Sequence, residues 1–145
     1  MRMAKPTASS GASLLELIAA IGVTALAATL SGGALARLGR ATSVQSARVL
    51  VMSALLDARR RAYAADATTD VTVRAEDSVV TVHTAEGQSI ASRLPPGSII
   101  TGSVASGRVR FFASGLADNA TVTVGGTDGA AAEERVVVNQ RGLVR

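Results

Sequence analysis

At 145 residues the chain has room for one domain and a membrane segment, and is too short for two domains with cores of ordinary size. It has no cysteine, which excludes disulfides, thiolate metal sites and cysteine nucleophiles, and its aromatic residues are Tyr63, Phe111 and Phe112 alone, too few for a stacking platform. The net charge of +4 is unevenly spread: residues 37–63 hold six arginines against Asp57, whereas residues 64–145 hold seven arginines against nine acids. A phosphate-binding face on the C-terminal part would therefore have to be a local cluster.

Residues 1–11 (MRMAKPTASSG) are polar, carry Arg2 and Lys5 with no acid, and read as a targeting leader rather than part of a fold. Residues 12–36 follow as an apolar stretch. From Leu17 to Ala36 twenty residues pass without a charge, and a helix of that length spans roughly 30 Å, the thickness of a bilayer's hydrocarbon core. Glu16 stands at its edge, where an ionisable group is costly unless paired and marks a functional position. The small residues Gly22, Gly32 and Gly33 suit close helix approach in lipid, but Gly32, Gly33 and Gly39 also weaken the helix, and local melting is expected there.

Gly11-Ala12-Ser13-Leu14-Leu15-Glu16-Leu17 ahead of a long apolar helix resembles the prepilin motif of type IV pilins and type II secretion pseudopilins. The resemblance implies that a prepilin peptidase cuts between Gly11 and Ala12, that Ala12 becomes an N-methylated amino terminus, and that Glu16 is the glutamate at the fifth mature position. Ala12 departs from the more usual phenylalanine or methionine. Independently of the motif, residues four apart share a helix face, so the Glu16 carboxylate can pair with the amine at Ala12 or with that of a neighbouring subunit and so set subunit register.

Residues 37–65 continue as an amphipathic helix ending near Ala65. Ala47, Leu50, Val51, Ala54, Leu55, Ala58 and Ala62 recur at three- and four-residue steps as a core stripe, with Arg48, Asp57, Arg59 and Arg60 largely off it. Arg59, Arg60 and Arg61 suit the negative end of the helix dipole.

Beyond Asp66 the period changes to two. Short runs at 71–75, 79–83, 89–94, 99–100, 109–113, 121–124 and 135–138 are Val-rich or alternating, and turn signals such as Pro95-Pro96-Gly97 and Gly125-Gly126-Thr127-Asp128-Gly129 separate them. Residues 66–145 are thus expected to form an antiparallel β domain of meanders packed on the helix stripe, giving an α+β chain. His83, the single histidine, falls in a strand, and acidic pairs such as Glu133-Glu134 fall in loops, so no catalytic, cofactor or metal site is expected and the protein is read as no enzyme.

The segments Arg108-Val109-Arg110-Phe111-Phe112-Ala113-Ser114-Gly115, Ala120-Thr121-Val122-Thr123-Val124 and Arg135 to Arg145 are similar to the C-terminal region of the H-type minor pseudopilins and FimT-like minor pilins, the GspH/FimT family. That likeness implies a pilin-like fold with a long N-terminal helix on two small antiparallel sheets. It implies a subunit anchored in the inner membrane with a periplasmic C-terminal domain, which enters a type II secretion pseudopilus or type IV pilus, with other subunits, the prepilin peptidase and membrane lipid as partners. Some FimT-like pilins bind DNA through a C-terminal Gly-Arg-x-Arg. Here Gly142-Leu143-Val144-Arg145 lacks one arginine, and Arg135, Arg141 and Arg145 are the candidate DNA contacts. A soluble periplasmic binding protein or enzyme, exported through a signal peptide cut after Ala27 or Ala36, is the alternative from another class.

Overall fold

The computed structural model describes residues 13–76, 78–102, 107–129 and 132–145. The chain divides into two units, residues 1–36 and 37–145. A single helix, α1 (Leu14–Ala64), runs through the described part of the first and into the second. It passes Gly32, Gly33 and Gly39 without interruption, so the melting expected there does not occur. Each glycine weakens the helix by only about 1 kcal/mol relative to alanine, and the unbroken hydrogen-bond ladder on both sides outweighs that cost.

In the second unit the helix is followed by β1 (Thr69–Arg74), β2 (Val79–His83), β3 (Ser89–Arg93), β4 (Ser98–Gly102), β5 (Arg108–Phe111), β6 (Ala120–Gly126) and β7 (Glu134–Val138). They form two antiparallel sheets, ordered β3-β2-β1-β5 and β4-β6-β7. The two-sheet expectation thus holds, while the simple meander does not: the chain leaves the first sheet for β4, returns to place β5 beside β1, and leaves again for β6. The reason is burial, since β1 has apolar residues on its inner face at Val71 and Val73 and needs a partner on each edge to shield its backbone.

One core joins helix and sheets. Val44, Ala47, Val51, Leu55, Ala58 and Ala62 form the buried helix stripe, spaced three and four residues apart, and meet Val71, Val80, Val109 and Phe111 of one sheet and Val122, Val124, Val136 and Val138 of the other. Leu50 and Ala54, expected in the stripe, pack at its margin, and Val44 extends it by a turn. Alanines at three of the six stripe positions keep the helix close to both sheets, and burial of each Leu, Val or Phe contributes about 1.5–3 kcal/mol.

The basic helix is tied to the acidic domain. Arg40 pairs with Asp128 at 3.2 Å, Arg48 lies 3.7 Å from Glu134, and the Ser43 hydroxyl donates to the Pro96 carbonyl in the turn before β4. The helix ends near Ala65 as expected, in a left-handed cap: Asp66 has φ +48°, the Ala67 amide donates to the Ala62 carbonyl at 3.2 Å, and the Asp66 amide to that of Tyr63 at 3.5 Å.

Candidate functional site

The helix N-terminus is built by a reciprocal pair of hydrogen bonds. The Glu16 amide donates to the Ser13 hydroxyl at 3.2 Å, and the Ser13 amide donates to the Glu16 carboxylate, also at 3.2 Å. Ser13 is the N-cap and Glu16 the third helical residue, so the Ser-x-x-Glu sequence forms a capping box that satisfies two amides otherwise left bare. That signal was readable in Ser13-Leu14-Leu15-Glu16 and was missed in favour of the amine-pairing role. Gly11, Ala12 and the whole leader lie outside the described residues.

Past Glu16 the helix is apolar and uncovered. Leu17, Ile18, Ile21, Val23 and Leu26 are all more than half exposed, and an 18-residue window of the helix reaches a mean hydropathy of 2.0 with none of it buried. The Thr24 hydroxyl donates to the Ala20 and Ile21 carbonyls and Thr29 to that of Leu26. Both polar side chains are thereby satisfied within the helix, as an apolar surrounding requires. By length and composition this helix could cross a membrane.

At the other end of the chain, β7 turns back on itself. The Gly142 amide donates to the Asn139 carbonyl and the Asn139 amide to that of Leu143, closing a three-residue loop with Gly142 left-handed at φ +68°. The Asn139 side chain accepts from the Arg141 and Leu143 amides at 3.0 and 2.9 Å. Val137 and Arg145 then exchange both backbone hydrogen bonds, at 2.9 and 3.0 Å. Directly opposed residues share a face and so do residues two apart along a strand, which puts Arg135, Val137 and Arg145 together on the outer face of this ladder, all exposed. Arg141 is exposed in the loop. The three candidate DNA contacts therefore belong to one hairpin.

A second loop has the same construction. The Gly115 amide donates to the Phe112 carbonyl, the Phe112 amide to that of Leu116, and Gly115 has φ +82°. The Ala117 amide donates to the Gln140 carbonyl at 3.1 Å, joining the two loops. Beside them Arg110 donates from Nε to Asp118 at 2.8 Å, and that carboxylate raises the Arg110 guanidinium above its already high range. Arg60 and Arg61 both pair with Asp57, at 3.3 and 2.6 Å. His83 shares a hydrogen bond with Ser89 across β2 and β3, Nδ1 to Oγ at 2.9 Å, and faces Asp70 across β1 and β2. Among the described residues no group of three or more His, Asp or Glu side chains is placed to hold a metal ion.

No family model matches the sequence, and no curated protein matches it. Solved structures do match. The chain superposes on the minor pseudopilin EpsH from the type 2 secretion system of Vibrio cholerae with a TM-score of 0.59 at 13% identity, over 71% of this chain and 94% of that one. It superposes on the type IV minor pilin FimU of Pseudomonas aeruginosa with a TM-score of 0.55 at 16% identity, over 72% of this chain and 87% of that one. The long helix, the two antiparallel sheets and these matches together identify the fold as pilin-like, of the kind found in the GspH/FimT minor subunits.

Proposed function

We propose that the chain is a minor subunit of a type II secretion pseudopilus or a type IV pilus, cut by prepilin peptidase between Gly11 and Ala12 and assembled through its N-terminal helix. The observation that carries this reading is the exposed apolar stretch of α1 in a protein with this fold: Leu17, Ile18, Ile21 and Leu26 are each more than half exposed. An apolar surface of that extent needs lipid or other helices. The subunit is held in the inner membrane by this helix before it is drawn into the filament, its C-terminal domain facing the periplasm. Its work is assembly rather than turnover. Glu16 pairs there with a terminal amine, its own or a neighbour's, and sets the register of subunits.

Intact-mass measurement of the mature protein tests this. A chain beginning at Ala12, heavier by one CH2 from the N-methylation, is the expected result; a chain beginning beyond the apolar stretch would instead establish an exported soluble protein. A second reading, DNA binding, is favoured by one observation, the gathering of Arg135, Arg141 and Arg145 on a single hairpin. The leucine at position 143 leaves that surface one cation short of the Gly-Arg-x-Arg pattern.

A further inference from the structure

The three arginines at the end of α1 differ in what holds them. Arg60 and Arg61 share Asp57, whereas Arg59 has neither an ion pair nor a hydrogen bond among the described residues. It is half-buried and reaches toward the paired hairpin loops, its Nε 3.3 Å from where a Cβ on Gly142 would stand. A Cβ there would crowd the arginine by a few tenths of an ångström. Arg59 lines an open groove of about 800 Å³ between the outward side of α1 and the loop at Ser114 and Gly115. Leu56, 39% exposed, and Tyr63, 77% exposed, form its apolar wall.

We propose that this groove is a docking site for a neighbouring filament subunit, which inserts an acidic side chain flanked by apolar residues so that its carboxylate meets Arg59. The inference rests on the proposed function and names the surface through which the domain, as distinct from the apolar helix, engages a partner. Three features select this occupant. A half-buried arginine with no acceptor among the described residues gains most from a carboxylate, which its guanidinium binds in a two-pronged fashion. A tyrosine and an arginine on one concavity are the residue types enriched at interface centres, in which a few anchors carry the binding. Arg60 shares the single charge of Asp57 with Arg61, so Arg59 is the one cation lining the groove that has no ion pair among the described residues, and it stands against the apolar wall of Leu56 and Tyr63, which suits a carboxylate on an apolar segment rather than the phosphate row of a nucleic acid.

The test uses the full chain in cells that assemble its filament, with Tyr63 replaced by the photoreactive p-benzoylphenylalanine and the cross-linked peptide mapped by mass spectrometry. The expected cross-link falls on another filament subunit, on a peptide containing Asp or Glu between apolar residues. Arg59→Glu should lower its yield at least tenfold, and changing the mapped acid to lysine in that background should restore it. Ser53→Glu, which adds an acid at the exposed rim and removes no packing, should lower the yield in the same way and decides the matter if Arg59→Glu does not fold. A cross-link to DNA or lipid, a yield indifferent to both changes, or no cross-link from protein that copurifies with the filament would overturn the docking site and leave the proposed function standing. Absence of the chain from purified filament would overturn both.

Discussion

Gly142 abuts Gly115 so closely that a Cβ on Gly142 would collide with the Gly115 carbonyl oxygen. Both glycines are the left-handed third residue of a three-residue loop, at φ +68° and +82°, but only Gly142 has a neighbour in the way, for nothing lies within 4 Å of a Cβ on Gly115. Gly115→Ala should therefore cost only the left-handed conformation, about 1 kcal/mol, while Gly142→Ala must also displace backbone and should cost about 2–4 kcal/mol. Urea unfolding of the two variants in the same detergent reads the difference. Equal costs would show that the loops do not bear on one another.

The two ends of the chain were legible to different degrees. The apolar run follows from its uncharged length, and the stripe through Val51, Leu55, Ala58 and Ala62 and most of the strands follow from periodicity, because each of these buries one face against one core. The placement of β5 beside β1 does not: pairing of Val71 with Val109 is a contact between residues far apart in sequence, and alternation within a strand says nothing about which edge it joins. The hairpin formed by Asn139 and Leu143 escaped for a related reason, since its return strand is only three residues long. The close approach of the two loops beside Arg59 depends on a missing Cβ at Gly142, which no hydropathy pattern records.

Asp66 caps α1 in the left-handed region, φ +48°, at the position where glycine is usual. It is also an acid at the negative end of the helix dipole, so both its backbone and its charge are unfavourable there. Asp66→Gly should stabilise the domain by about 0.5–1 kcal/mol, and Asp66→Val, which brings a branched side chain to the same dihedral, should destabilise it by about 1–2 kcal/mol. Thermal unfolding of the three proteins checks the order. A valine variant as stable as the glycine one would mean that the cap relaxes out of the left-handed region.

Leu143 is 43% exposed and sits at an odd position of the terminal hairpin, on the face that carries Arg135 and Arg145. Leu143→Arg would complete Gly-Arg-x-Arg and add a third cation to that face without emptying the core. Duplex DNA should then bind more tightly at low salt, with the logarithmic salt dependence steeper by about one unit and little dependence on sequence. Filter binding between 50 and 200 mM salt, concentrations chosen to bracket the physiological range, measures it. An unchanged slope would show that the face does not reach phosphates even when the cation is supplied.

Glu16 does two things that one pair of substitutions separates. Its carboxylate accepts from the Ser13 amide, closing the capping box, and in the assembled filament it is proposed to pair with a terminal amine. Glutamine at this position can accept the same hydrogen bond but has no charge, whereas alanine loses both, at a cost to the helix end of about 1 kcal/mol. Neither change touches the uncharged stretch beyond it, so both variants should insert in the membrane as the parent does. If register depends on the ion pair, Glu16→Gln and Glu16→Ala should fall to similarly low levels in purified filament. If capping is what counts, Glu16→Gln should assemble like the parent and Glu16→Ala alone should fail. We expect the first outcome, because an ammonium buried among apolar helices loses several kcal/mol without an anion, several times the value of the cap.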